Sequence, residues 1–328
     1  MSYDVVIVNF NGEKIISSCL DSLLSCSHKP KKIIIYDNNS EDNSLELIKD
    51  KYPKALLVRG RKNIGFGRGN NEGMRRSSAD FILFMNNDLV LDKECPSELL
   101  RAFSDKKLAI VNPVIYKGWK KIKNQEVYAF GAEMNTSGFG YGLYDLDGNR
   151  FDLDCFSGAC FMARSKTIKK LQFEKKFFLY CEEPEISARV LKRGEKIGRI
   201  IEAKSYHLES FSSPQRRVEG IAFRQYYSVQ NRWFMVGKHW PKFLLPKVLL
   251  VNELHLLYLV YFFMRNGQWK YLRLVYMAPY KFFLGLREFN SGEIDDKRWF
   301  VKLSRTPLGQ YFRLGSKVFA GPKKELVI

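Results

Sequence analysis

Phe81-Ile82-Leu83-Phe84-Met85-Asn86-Asn87-Asp88-Leu89-Val90-Leu91 is an apolar strand that ends in two amides and a carboxylate, then resumes as a second apolar run. Five consecutive apolar residues read as a strand buried on both faces, the habit of a parallel sheet covered by helices. In such sheets ligands sit beyond the carboxyl ends of the strands. A hard divalent cation carrying phosphates takes oxygen ligands such as the Asp88 carboxylate. Alone, the same three residues are an ordinary polar turn, because Asn and Asp close turns by local hydrogen bonding. Their meaning depends on their surroundings.

Upstream, residues 5–8 form a β-branched run that ends in the turn Asn9-Phe10-Asn11-Gly12, and residues 13–25 have a helical pattern. Residues 33–36 repeat this and end at Asp37-Asn38-Asn39-Ser40, before a helix over 41–51. A third strand over 55–58 and a helix near 70–77 lead into Phe81. Strands alternating with helices predict an α/β fold with a Rossmann-type, mostly parallel sheet flanked by helices. Downstream, strands are expected at 110–114, 160–163 and 197–201, and helices at Ser165–Leu171 and at 183–193, the latter stopped by Gly194. Residues 116–154 read as an irregular excursion. Composition divides the chain into residues 1–225 and a helical, basic and aromatic C-terminal region, 226–328.

The charge is uneven. Of a net +19 over 328 residues, residues 210–328 carry 20 Lys and Arg against 7 Asp and Glu. Such an excess calls for an anionic partner, phospholipid headgroups or nucleic acid. Residues 243–264 are the most apolar long stretch, but Lys247, Asn252, Glu253 and His255 interrupt them, and Arg273 and Lys281 interrupt residues 271–286. Polar groups are costly at mid-bilayer, so interfacial helices fit better than a span. The alternative is a pair of core helices under basic loops. Six scattered cysteines without a C-x-x-C pair predict reduced, buried thiols. The chain enters an apolar strand directly after Met1-Ser2-Tyr3-Asp4, without the pattern of a secretory signal.

Three polar clusters, Asn9-x-Asn11-Gly12, Asp37-Asn38-Asn39-Ser40 and Asn86-Asn87-Asp88, follow three strands that parallel topology aligns, so they share one rim and predict a polar pocket. Asp37 is suited to accept hydrogen bonds from a base or ribose. Between the third and fourth strands, Asn63-Ile64-Gly65-Phe66-Gly67-Arg68-Gly69-Asn70-Asn71-Glu72-Gly73 holds four glycines that allow close backbone approach. Its likeness to a dinucleotide fingerprint fails at Asn70, where the third glycine would stand. Tyr180-Cys181-Glu182-Glu183-Pro184-Glu185 puts carboxylates at a helix start, where the dipole favours them. Glu182 or Glu183 there can also serve as a general base. His207 lies in a polar setting and is the second candidate metal ligand. The lack of an H-x-x-x-H pair argues against catalytic zinc.

In order and spacing these segments, with Ser157-Gly158-Ala159-Cys160 and Phe178-Leu179-Tyr180, resemble family 2 glycosyltransferases over about residues 3–235, particularly the rhamnosyltransferase-like branch. The resemblance implies a GT-A fold and inverting transfer of a sugar from a nucleotide-diphosphate donor to a hydroxyl of a lipid-linked or other glycan acceptor. It implies that Asp37 and Asn39 contact the nucleoside, and that Asn9, Asn11, Asn63, Gly65, Asn71, Asn87, Asp88 and Gly158 line the nucleotide-sugar site. Asp88 and His207 would hold Mg²⁺ or Mn²⁺, and Glu183 or its neighbour Glu182 would be the base. The setting it suggests, together with the basic tail, is cytoplasmic and peripheral on the inner face of the cell membrane, against an anionic surface, with no nucleic acid partner. Three residues depart from the pattern: Glu183 replaces the usual Asp, Asn-Asn-Asp leaves one carboxylate, and Pro184 follows the acidic pair. A nucleotidyltransferase would carry a basic Gly-rich loop near the N-terminus, which Asn9-Phe10-Asn11-Gly12 is not. A non-enzymatic basic membrane- or nucleic-acid-binding protein would leave the polar rim unexplained.

Overall fold

In the computed structural model, which describes residues 1–118, 125–135, 137–207 and 214–289, the apolar runs of the first 90 residues become strands. The basic tail beyond residue 289 lies outside the described residues. The order is β1 Tyr3–Asn9, α1 Ile16–Ser25, β2 Ile33–Asp37, α2 Ser44–Lys51, β3 Leu56–Arg59, α3 Phe66–Met74, β4 Phe81–Met85 and β5 Leu89–Leu91. Next come α4 Cys95–Ala102, β6 Leu108–Lys117, the short strands β7 Val127–Ala129, β8 Ala132–Met134 and β9 Gly140–Gly142, then β10 Cys160–Arg164 and α5 Ser165–Leu171. The chain continues through α6 Glu182–Lys192, β11 Lys196–His207, α7 Pro214–His239, α8 Leu245–Arg265 and α9 Leu274–Arg287.

The main sheet runs β3-β2-β1-β4-β10-β6-β11-β5, with β7 on β6. β1, β2, β3 and β4 pair in parallel, as their alternation with helices predicts. β10 then enters antiparallel between β4 and β6, so the sheet as a whole is mixed. β4 is central and apolar throughout, β6 is apolar over its buried length except for Asn112, and the core gathers Val5, Ile7, Leu83, Val111 and Met162 with Leu20 and Leu23 of α1. All six cysteines are buried thiols outside any disulfide.

Two elements differ from expectation in ways that matter for the site. The strand expected at 197–201 runs on to His207, because a register shift between Ile200 and Lys204 lets it keep pairing with β6 while its end meets β5. Polar residues Glu202, Lys204 and Ser205 hide that extension in the sequence. The helix expected near residue 70 starts at Phe66. Gly69 and Gly73 lie against the sheet: a Cβ on Gly69 would stand 3.0 Å from Val8 Cγ1, and one on Gly73 2.6 Å from Val6 Cγ1. Residues 116–154 are less irregular than their composition predicts, since they hold β7, β8 and β9.

The chain divides into two compact units, residues 1–132, 143–178 and 195–210 in one, and residues 133–142, 179–194 and 211–328 in the other. This is not the 1–225 and 226–328 division read from composition, since the acidic segment around Glu183 belongs with the C-terminal helices. Polar contacts between α6 and α7 account for that. Buried Glu185 of α6 meets Arg189 Nε at 3.0 Å, His239 Nε2 at 3.0 Å and Lys238 Nζ at 3.5 Å, the last two from α7. Burial alone would raise the Glu185 carboxyl, but Arg189, His239 and Lys238 outweigh it and hold it well below the usual carboxylate range.

His239 fits this network as a neutral ring. Lys192 Nζ, which can only donate, is 3.2 Å from Nδ1, so Nδ1 accepts and Nε2 donates to the Glu185 carboxylate. Burial pushes the ring down to about 4, against the pull of Glu185. The unfolded ring titrates near 6.5, so between those values only the unfolded chain takes up the proton. The stability this supplies is complete above pH ~6.5 and falls as pH drops toward ~4, by about 3 kcal/mol at most. Melting temperatures recorded across that window should decline with acid, and His239→Gln should flatten the decline; an unchanged slope in the variant would refute the assignment.

Candidate active site

Strand register builds the polar rim. β1 and β2 pair with Asn9 beside Asp37, and β1 and β4 pair with Val6 beside Phe84, so Asn9 and Asn87 leave the sheet side by side. Asn9 is fully buried and is the hub of the rim. Its Nδ2 lies 3.1 Å from Asp37 Oδ1, 3.2 Å from Ser40 Oγ and 2.9 Å from Ser44 Oγ, while its Oδ1 accepts from Asn87 Nδ2 at 2.9 Å. Asp37 is also buried and accepts from Ser40 Oγ at 2.6 Å and Ser40 N at 3.0 Å. Its oxygens therefore brace the rim. Asn11, at φ 50, gives its amide to Ser40 Oγ and accepts from Glu41 N at 2.9 Å. Asn39 is partly exposed in the left-handed region, at φ 66.

A second network shapes the floor. Asn38, given no role of its own within the polar cluster after β2, gives Nδ2 to Asn63 Oδ1 at 2.8 Å and accepts from Ile64 N at 2.8 Å. Asn63 Oδ1 also accepts from Gly65 N at 2.9 Å. Gly65 has φ 88, and a Cβ there would fall 2.0 Å from Phe178 O, so both its conformation and its space require glycine. Asn71 does not face the rim: its amide makes a two-point clamp on the Phe173 backbone, at 2.9 and 2.8 Å. Gly158 is buried in the turn before β10, which Asn112 of β6 holds by bonds to Ser157 N and O, at 3.0 and 2.9 Å. Asn86 N donates to Ala159 O at 2.9 Å and draws that turn against Asn86-Asn87-Asp88.

Asp88 and His207 come together through β5. The antiparallel pairing of β5 with β11 sets His207 opposite Leu89, one residue after Asp88. Asp88 Oδ1 lies 3.2 Å from His207 Nε2. The approach is close without hydrogen-bond alignment, and among the described residues Asp88 Oδ1 and His207 Nδ1 have no hydrogen-bond partner. Neighbouring ligands of an octahedral cation at about 2.1 Å stand about 3.0 Å apart, so this spacing suits a shared ion. Tyr128 of β7 lies with its ring centroid 4.3 Å from that of His207 and fixes its plane. No sequence pattern marked Tyr128, because its position depends on β7 pairing with β6.

Glu182 and Glu183 open α6 in the other unit. Two non-glycine residues in the left-handed region precede them, Tyr180 at φ 68 and Cys181 at φ 70. Asn231 of α7 holds this turn by donating Nδ2 to the carbonyls of Leu179 and Tyr180, each at 2.9 Å, and Cys181 Sγ lies 3.2 Å from Ser228 O. Pro184 falls in the first helical turn, where amides lack intrahelical partners, and the first such bond is Glu185 N to Cys181 O. That accounts for the proline. Glu182 is buried, Glu183 is partly exposed, and burial pushes the Glu183 carboxyl above its usual range.

Residues 4–171 match the profile of Glycosyl transferase family 2. The chain belongs to that family. Among curated proteins it is similar to poly-beta-1,6-N-acetyl-D-glucosamine synthase of Staphylococcus aureus (strain COL), 29% identical over 111 residues, which are 32% of this chain and 27% of that protein. It is also similar to poly(ribitol-phosphate) beta-glucosyltransferase of Bacillus spizizenii (strain W23), 33% identical over 101 residues, 29% of this chain and 16% of that one. The chain thus spans less than a third of either relative. Among solved structures, GalNAc-T7 with UDP, GalNAc and Mn²⁺ superposes with a TM-score of 0.60 at 14% identity, covering 74% of this chain and 49% of that one. The likeness extends to the fold, which is the GT-A arrangement of the family's catalytic domains.

Replacing the Asn9 hub should be costly. Asn9→Leu strands the polar partners on buried Asp37 and Ser44 and on half-buried Asn87, and should destabilise by about 3 kcal/mol. Urea unfolding measures this; a loss below about 1 kcal/mol would show that the rim does not depend on Asn9.

Proposed function

We propose that the protein is an inverting glycosyltransferase that moves a sugar from a nucleoside diphosphate to a hydroxyl of a glycan acceptor, lipid-linked in its native setting. Family membership supports the reaction class, and the names of the curated relatives, a poly-N-acetyl-D-glucosamine synthase and a poly(ribitol-phosphate) glucosyltransferase, agree with a polymeric acceptor such as a glycan. The observation that carries the reading is the pair Asp88 Oδ1 and His207 Nε2, 3.2 Å apart and unaligned for a hydrogen bond, at the mouth of a polar rim.

These two side chains are the donors this chain offers to a divalent cation, Mg²⁺ or Mn²⁺; among the described residues no group of three His, Cys, Asp or Glu gathers to hold one alone. The remaining positions suit the oxygens of the donor's diphosphate. When bound, such a cation neutralises charge on the departing diphosphate. Asn9, Asp37 and Asn87 keep the rim in register, and Asn38, Asn63 and Gly65 shape its floor for the nucleoside. In a single displacement the acceptor oxygen bonds to the anomeric carbon as the bond to the diphosphate oxygen breaks. The hydroxyl proton then passes to a carboxylate. Glu183 suits that role better than Glu182, because an acceptor can reach a partly exposed base and because its raised affinity for protons matches the task.

A panel of nucleotide sugars scored by nucleoside diphosphate release, with and without Mn²⁺, tests the reading; no release with any donor would sink it. Glu183→Gln should lower kcat by about 10²–10⁴-fold with donor affinity retained, and full activity in that variant would remove Glu183 from the chemistry. Asp88→Ala and His207→Ala should each weaken Mn²⁺-dependent donor binding in calorimetry. Because the base works ionised and burial raises its pKa, the rate should fall on the acid side at a higher pH than the ~4.3 of an ordinary Glu would give. A kcat profile flat down to that value would contradict the role.

A further inference from the structure

We infer that the outer faces of α8 and α9 form one docking surface for an anionic phospholipid bilayer, seated at the boundary between headgroups and acyl chains. The inference concerns the C-terminal unit alone and does not rest on the transferase reading. Among the described residues, 11 of the 18 large hydrophobic side chains that remain exposed fall between Phe243 and Phe283. Their spacing is that of a helix face. Leu250, Leu254, Leu257, Tyr261 and Met264 follow steps of four and three along α8, and Tyr276, Tyr280 and Phe283 do the same along α9. Leu257 is 64% exposed and Phe283 60%. A monomeric soluble surface rarely gathers so many exposed apolar side chains on two consecutive helices.

The opposite face of α8 determines how it can meet a membrane. Lys242–Arg265 is long and apolar enough to cross a bilayer. Yet Val248, Leu256, Leu259 and Phe263 pack into the core of their own unit with α7 and α9. Asn252, between them, accepts from buried Arg232 Nε at 2.8 Å and donates to Ser137 O at 3.2 Å. Crossing a bilayer would tear out that face and leave Arg232 as a buried cation without its amide. A helix committed on one side and apolar on the other lies in the interfacial plane.

Charge and aromatic content select the partner. Residues 242–287 carry seven Lys and Arg against one carboxylate, Glu253. Arg265 and Arg287 are exposed at the C-terminal ends of the two stripes, and Trp269, 60% exposed, stands between the helices in sequence. Basic rims beside Trp and Tyr are the composition of interfacial segments on anionic lipid. A second copy of the chain would bring two basic surfaces together and is disfavoured on that ground.

Co-sedimentation of the full chain with vesicles of phosphatidylcholine alone, or mixed with phosphatidylglycerol, tests the surface. The wild type should sediment with the mixed vesicles. Leu257→Glu combined with Phe283→Glu should weaken that binding by at least roughly tenfold without changing the melting temperature, since both residues are exposed. Arg265→Glu with Arg287→Glu should reduce the preference for phosphatidylglycerol and leave the fold intact. Wild type that stays in the supernatant with both vesicles, or equal sedimentation of the apolar variant, overturns the proposal. Sedimentation equilibrium that shows a dimer abolished by Leu257→Glu and Phe283→Glu would assign the face to a second copy instead.

Discussion

Three residues of antiparallel pairing, Leu89–Leu91 against Ser205, Tyr206 and His207, hold the candidate site together. β4 ends at the centre of the sheet and β5 resumes at its far edge, so Asn86-Asn87-Asp88 is the bridge between the two positions. Because side chains alternate along a strand, a slip of one residue in that pairing would turn His207 to the opposite face. The register shift in β11 makes the pairing possible: it frees the end of the strand to meet β6 on one side and β5 on the other. Bulges placed beside active sites commonly re-aim side chains in this way.

The C-terminal unit shows a different economy of polar groups. Glu185, Lys192, Arg189, Lys238 and His239 satisfy one another where α6 meets α7, while Arg232 lies 3.6 Å from the centroid of Phe139 and bonds to Asn252. Burying ions is costly unless each is compensated, and here nearly every contact serves to fix one helix on another. The inner face of α8 is thus specified by hydrogen bonds as well as by shape. Its outer face is specified by nothing within the described residues.

Local sequence signals made β4, α5 and the end of β2 legible, because each depends on a short apolar run and an abrupt polar stop. Asn9, Asp37 and Asp88 were legible as a rim for the same reason, since parallel topology aligns strand ends. The contacts of Asp37 and Asn71 were not, because only the fold brings their polar atoms to Ser40, Asn9 and the Phe173 backbone. The full length of β11 was not legible because Glu202 falls within its register shift and Lys204 directly after it, which breaks the apolar pattern. Asn231, Tyr128 and the pairing of α6 with α7 were illegible, since each contact spans 47 to 79 residues of chain, and no local pattern encodes such pairings.

The consecutive left-handed residues Tyr180 and Cys181 have a further consequence. Each such conformation costs a non-glycine residue on the order of 1 kcal/mol, and it persists here because Asn231 and Ser228 over-determine the turn. Glycine at position 180 would relieve its share of that strain, whereas at position 181 it would also remove the buried thiol that meets Ser228. It would also free the backbone that aims Glu182 and Glu183. Stability and precision are opposed at this turn, and selection for heat resistance alone would be expected to erode it first.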